Sequence, residues 1–148
     1  MSRNQKSVVI LMADDDADDR LLTKDALQEC GMADNLHFVE NGEELLDYLL
    51  HRGKYASPPY QPRPGLILLD LNMPRKDGRD ALREIKTNPE LRRIPIIVLT
   101  TSNAETDIER SYELGANSFI SKPVAFDSLI DIMRMIGKYW IETTELPA

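Results

Sequence analysis

Apolar residues in this chain follow two alternating rhythms. Short unbroken runs, such as residues 8–13, 66–69 and 94–99, stop at turn-forming or polar residues, and between them apolar positions recur every three or four residues. An unbroken run of this length reads as a strand buried on both faces, as in a parallel sheet, and the longer period reads as an amphipathic helix. Strands are predicted over 8–13, 36–39, 66–69, 94–99 and 118–121. Helices are predicted over 17–30, with Leu22, Ala26 and Cys30 inward, and from an Asn41 cap to about His51, with Leu45, Leu46, Leu49 and Leu50 inward. Further helices span 80–87, with Ala81, Leu82 and Ile85 inward, then 105–114 and 126–140. Gly31 and Gly115 supply stops, Pro95 stands at the start of its strand, and the prolines between Pro58 and Pro64 make 52–64 an irregular surface connection.

Strands alternating with helices imply right-handed crossovers and an α/β fold: a doubly wound, five-stranded parallel sheet whose simplest order is 2-1-3-4-5. The strand order reverses between the first and third strands, and ligands bind at the carboxyl ends of strands at such a point. The first strand runs into Asp14, Asp15 and Asp16, the third into Asp70, the fourth into Thr100, Thr101 and Ser102, and the fifth into Lys122. One crevice is therefore expected to gather Asp14, Asp15 and Asp70 with Thr100 and Lys122. Three close carboxylates cannot all stay ionised without a cation. Oxygen donors with no His or Cys beside them point to Mg²⁺, with Mn²⁺ as a substitute. A lysine and a hydroxyl facing that ion form a receptacle for an anion, and a carboxylate is a competent nucleophile toward phosphoryl groups, so acyl-phosphate formation on an aspartate is the implied event. Asp16, Asp18 and Asp19 read as a solvated acidic face.

Composition narrows the partners. The chain has 148 residues, the size of one domain, and a single domain over 1–148 is expected, with its core at about 7–138 and a tail at 139–148. A formal charge of −7 argues against a nucleic-acid partner, and Arg92 and Arg93 read as solvated. Cys30, the one cysteine, reads as a core residue, which fits a reducing cytoplasm. The first apolar run is too short for a signal peptide or a membrane span, so no membrane association is expected.

Asp14-Asp15, Asp70 within LLDLNMPRKDG, Thr100 within IIVLTTS and Lys122-Pro123 within FISKP together resemble the receiver domain of two-component response regulators, a flavodoxin-like fold. The intervals from Asp70 to Thr100 and to Lys122 are also those of a receiver, and the resemblance covers nearly the whole chain. The proline-rich loop and the ending KYWIETTELP further resemble single-domain regulators that partner phytochrome-type photoreceptor histidine kinases. The resemblance implies that Asp70 is the phosphoacceptor, supplied by a sensor histidine kinase. It implies metal ligation by Asp15 directly, by Asp14 mainly through water, by Asp70, and by the Asn72 main-chain carbonyl. Lys122 would pair with the phosphoryl group, Thr100 would hydrogen-bond it, and Phe119 would occupy the switch position, acting through packing because it has no hydroxyl. A cis Lys122–Pro123 peptide is implied as well. Ala13 departs from the pattern, being small where the first strand's end is often bulkier.

With no output domain following, output is expected through a protein contact or onward phosphotransfer, in a switch that catalyses its own phosphorylation and dephosphorylation. His37 and His51 are not credible phosphoacceptors. The alternative is a phosphatase using Asp70 as covalent nucleophile, but that chemistry wants a second acid where Asn72 stands. A flavin-binding protein of this topology would want a phosphate-cradling loop after the first strand, which the chain lacks. The final helix adds one more expectation. Leu129, Met133, Ile136 and Trp140 form one apolar stripe, and Ile132, Met135 and Tyr139 form a second beside Asp127, Asp131, Arg134 and Lys138. A homodimer contacting through Ile132, Met135, Tyr139, Trp140 and the tail is the sharper reading; burial under a neighbouring helix, or a tail folded back on its own chain, are the alternatives.

Overall fold

The computed structural model of the chain describes residues 8–143. In chain order its elements are β1 (Ile10–Ala13), α1 (Ala17–Glu29), β2 (Leu36–Val39), α2 (Gly42–Leu50), β3 (Leu66–Leu69), α3 (Gly78–Thr87), β4 (Ile96–Thr100), α4 (Glu105–Glu113), β5 (Ser118–Ser121) and α5 (Phe126–Ile136). The strands form one parallel sheet in the order β2-β1-β3-β4-β5, as the alternation of elements requires.

Successive side chains of a strand point to opposite faces, and here both faces are covered. Leu11, Ala13, Ile67, Leu69, Ile96 and Val98 join Leu45, Leu46 and Leu49 of α2 and Ala81, Leu82 and Ile85 of α3 in one core. Their strand neighbours Ile10, Met12, Leu66, Leu68, Ile97 and Leu99 pack against Ala26 and Leu27 of α1 and Leu129, Met133 and Ile136 of α5. That double burial is why β1, β3 and β4 are apolar without alternation. α4 differs, since Ser111 is its only buried residue and the Ser111 hydroxyl has no hydrogen-bond partner among the described residues.

The helices begin where side chains satisfy their orphan N–H groups. Asp16 accepts from the N–H groups of Asp18 and Asp19 at the start of α1, Asn41 from Glu44 at α2, and Asp77 from Arg79 at α3. Gly78 opens α3 two residues before the expected start. A Cβ at this position would collide with the Asp70 carbonyl and lie 2.7 Å from Leu71 Cα. Backbone cannot yield as a flexible side chain does, so Gly78→Ala is expected to cost about 1–3 kcal/mol, read as a lower urea midpoint.

Four further features depart from the sequence reading. α1 turns Thr23, Ala26 and Leu27 inward, whereas Leu22 is 42% exposed, because the face that meets the sheet is offset by one residue from the expected stripe. The proline-rich connection contains a 3-10 turn at Gly53–Tyr55 and is tied to α2, where the Tyr55 hydroxyl donates to Glu44 Oε2 at 2.6 Å and the Tyr48 hydroxyl to the Pro62 carbonyl at 2.9 Å. Burial pushes the Tyr48 phenol up to about 12. α5 does not run on to Trp140 but unwinds after Ile136 into a wider π-helical segment, Gly137–Thr143. The second stripe of α5 is also divided: Ile132 packs against the core, as Trp140 of the first stripe does, while Met135 and Tyr139 are 57% and 54% exposed. The rest of the tail, including Leu146, lies outside the described residues.

Candidate functional site

The register of β1 and β3 places Ala13 beside Leu69, so the next residues, Asp14 and Asp70, leave the sheet side by side. The Asp70 N–H donates to the Ala13 carbonyl at 3.0 Å, and the Asp14 N–H to Val39 at 3.1 Å. Asp14 is fully buried, Asp70 nearly so, and Asp15 exposed. Carboxylate oxygens of Asp14, Asp15 and Asp70 lie within 4.8 Å of one another.

Three donors hold the Asp70 carboxylate, two on one oxygen and one on the other. Oδ1 accepts from the Thr100 hydroxyl at 2.7 Å and from the Asn72 N–H at 3.1 Å. Oδ2 accepts from the Lys122 ammonium at 3.0 Å. The same ammonium reaches Asp14 Oδ2 at 2.5 Å and Asp19 Oδ2 at 2.8 Å, and the Lys122 N–H donates to the Thr100 carbonyl at 2.7 Å. Desolvation by burial raises the Asp14 carboxyl above its ordinary value despite Lys122. Burial opposes the charge on Lys122, but its bonds to Asp14 and Asp19 outweigh this and raise it.

The donor set fits a divalent cation. Asp14, Asp15, Asp19 and Asp70 set four carboxylates against one ammonium, which leaves a net negative pocket of hard oxygen donors with no His or Cys among them. Asn72 stands where the chain turns away from Asp70. The five residues expected to converge do so. Phe119 lies outside the cluster, partly buried against the α2 and α3 side of the core, with its N–H donating to the Tyr112 hydroxyl at 3.1 Å. Ile132, Met135, Tyr139 and Trp140 lie on or just beyond α5, away from the crevice.

The Lys122–Pro123 peptide is trans, contrary to expectation; the cis peptide of the described residues is Pro58–Pro59. Lys122 reaches all three carboxylates from the trans backbone, so no cis turn is needed to bring it there. Asp19 is likewise more than a solvated acid. It sits in the first turn of α1, which begins at the crevice, and that position was its one sequence signal. Ser102 was expected at the acidic edge but its hydroxyl turns to Asp107 Oδ2 at 2.5 Å. Asp107 is clasped by Arg79, Nε to Oδ1 and Nη2 to Oδ2, each at 3.0 Å, and the Arg79 guanidinium, then Ser102, hold its carboxyl below the usual range. His37 and His51 are remote from the crevice, beside Tyr48 and Tyr60.

Known proteins resemble the chain in sequence and in fold. The family model for the response regulator receiver domain matches residues 10–134. The response regulator Rcp1 of Synechocystis sp. is 41% identical over 145 residues, covering 98% of this chain and 96% of that protein. The crystal structure of the phosphorylated cyanobacterial phytochrome response regulator RcpA superposes with a TM-score of 0.87 at 40% identity, covering 95% of this chain and 99% of that one. The Mn²⁺-bound form of Rcp1 gives a TM-score of 0.86 at 41% identity over the same shares.

Proposed function

The chain belongs to the response regulator receiver domain family, and from that premise we propose that a sensor histidine kinase phosphorylates it on Asp70 with Mg²⁺ at the acidic cluster. One observation carries this reading: Asp70 lies between the Thr100 hydroxyl and the Lys122 ammonium, with Asp14 and Asp15 alongside. An Asp70 carboxylate oxygen attacks phosphorus, the bond from phosphorus to the donor histidine nitrogen breaks, and an acyl phosphate forms. Lys122 offsets charge on the phosphoryl oxygens, and Thr100 donates to one of them. Mg²⁺ would be held by Asp15, Asp70 and the Asn72 carbonyl, with Asp14 mainly through water, and would supply the remaining positive charge. Asn72 in place of a second acid leaves the phosphatase alternative without support, as does membership of the family. Incubating the protein with acetyl phosphate should give a hydroxylamine-labile phosphoryl group when Mg²⁺ is present and none with EDTA. Equal labelling with and without the metal would overturn the assignment.

A phytochrome-type photoreceptor kinase is the partner we favour, on the likeness to RcpA and Rcp1, and a cytoplasmic location goes with it. No described helix is long and apolar enough to cross a membrane. Output passes through a protein contact or onward phosphotransfer, with Phe119 as the packing switch. The exposed Met135 and Tyr139, flanked by Ile132 and Trp140, support a homodimer built on α5 and the segment after it. Sedimentation of the full chain against a version ending at Lys138 tests this: dimer for the first and monomer for the second is the expected result, and two monomers would refute it.

A further inference from the structure

Beyond the residues that touch Asp70, the structure contains a second path between the phosphoacceptor and the Thr100 hydroxyl. Leu71, the residue after Asp70, accepts from the Gly78 N–H at 2.9 Å, which ties the start of α3 to the acceptor. The next residue, Arg79, meets Asp107 of α4 in a two-bond, fork-to-carboxylate geometry. Asp107 accepts from the Ser102 hydroxyl, and Ser102 is two residues from Thr100, whose hydroxyl returns to Asp70 Oδ1. The path closes on itself.

The loop matters because α4 has so little else. Its one buried residue is Ser111. The residue that precedes it, Ala104, supplies no side-chain cap, and the Ala104 N–H meets the Ser102 hydroxyl at 3.5 Å. An exposed ion pair would add little, but the Arg79 and Asp107 side chains are 28% and 22% exposed, joined by two parallel bonds, and braced by Asp77 and Ser102. We propose that Arg79 and Asp107 are positioning residues that fix the β4–α4 connection, and with it the Thr100 hydroxyl, relative to Asp70, so that occupation of Asp70 is transmitted to α4. The second half of this inference rests on the phosphorylation reading above; the first half does not.

The test uses the full chain and the variants Arg79→Ala, Asp107→Asn, the double variant and Arg79→Lys. In the protein without acetyl phosphate, amide exchange over residues 101–104 should quicken about tenfold in either single variant and no further in the double, since both remove one interaction. Arg79→Lys keeps the charge but lacks the fork, so it should fall between wild type and Arg79→Ala, and it guards against general loss of fold. Unchanged exchange, or single effects that add in the double, would overturn the positioning role whatever Asp70 does. With acetyl phosphate and Mg²⁺, wild type should show amide shift changes from Thr100 into α4. The single variants should still take up phosphate, with the α4 changes falling by roughly half or more while those beside Asp70 persist. A full α4 response in Asp107→Asn would overturn the transmission. Failure of wild type to take up phosphate would instead refute the Asp70 assignment and the transmission with it, leaving the positioning role to be decided by exchange.

Discussion

An Asp70→Asn protein takes up phosphoryl groups from acetyl phosphate no faster than the blank, a loss of at least about 100-fold, because a carboxamide oxygen is a far poorer nucleophile toward phosphorus than a carboxylate. Asparagine has nearly the shape of aspartate, so its Oδ1 can still accept from the Thr100 hydroxyl; its amide nitrogen cannot accept from Lys122, whose ammonium keeps Asp14 and Asp19. Fold stability should hold or rise, since one of several crowded negative charges disappears. Phosphate incorporation by mass spectrometry and urea unfolding, run on the same preparation, separate lost chemistry from lost structure. Labelling at the wild-type level would show that another residue is the acceptor.

Lys122→Ala is expected to have the largest effect on stability. The ammonium is the one cation bonded to Asp14, Asp19 and Asp70 together, and Asp14 has no solvent exposure to fall back on. Removing one partner of a buried charge pair typically costs about 3–5 kcal/mol, and the partly exposed Asp19 places this case toward the lower end. The pH dependence follows from Asp14. Its carboxyl is already raised above its ordinary value in the folded protein, and losing Lys122 raises it further. The folded state then holds a proton that the unfolded state releases, so the variant loses stability as pH rises from the ordinary carboxyl value through the raised one. Its deficit against wild type should therefore be largest at pH 7 and shrink toward pH 5. Added Mg²⁺ should also reduce it, because a ligand that binds only the folded state stabilises that state. Urea midpoints at the two pH values, with and without the metal, decide the point. A variant as stable as wild type at pH 7 would mean that Lys122 does not offset these charges.

The topology and the reacting residues were legible because both follow from strand ends. A buried parallel strand must be apolar along its length, so the first polar residue after it marks the edge where ligands bind. That rule located Asp14, Asp70, Thr100 and Lys122, and β3 and β5 fall on their predicted bounds. What it could not supply was contact between side chains of separate elements. Asp19 and Lys122 meet only because α1 enters at the crevice, and Arg79 and Asp107 only because α3 and α4 lie at one particular spacing. The same limit explains the misjudged face of α1. Leu22, Ala26 and Cys30 make as good a stripe as Thr23, Ala26 and Leu27, and the sheet, which chooses between them, is not written in the helix. The end of α5 is hidden for a related reason, since residues up to Trp140 keep an α-helical apolar period while the backbone unwinds to π-helical pitch after Ile136.

The Tyr112 hydroxyl that accepts from the Phe119 N–H has a consequence for how the protein behaves when crowded. β5 is an outermost strand of the sheet, and an unpaired strand edge is a template on which another chain can add a strand. Phe119 would offer such a template an outward N–H, but Tyr112 already occupies it. The strand is also only four residues long, with serine at both ends. Together these leave too short a row of unsatisfied donors and acceptors for edge-to-edge growth, so the β5 edge can stay uncovered without seeding aggregation.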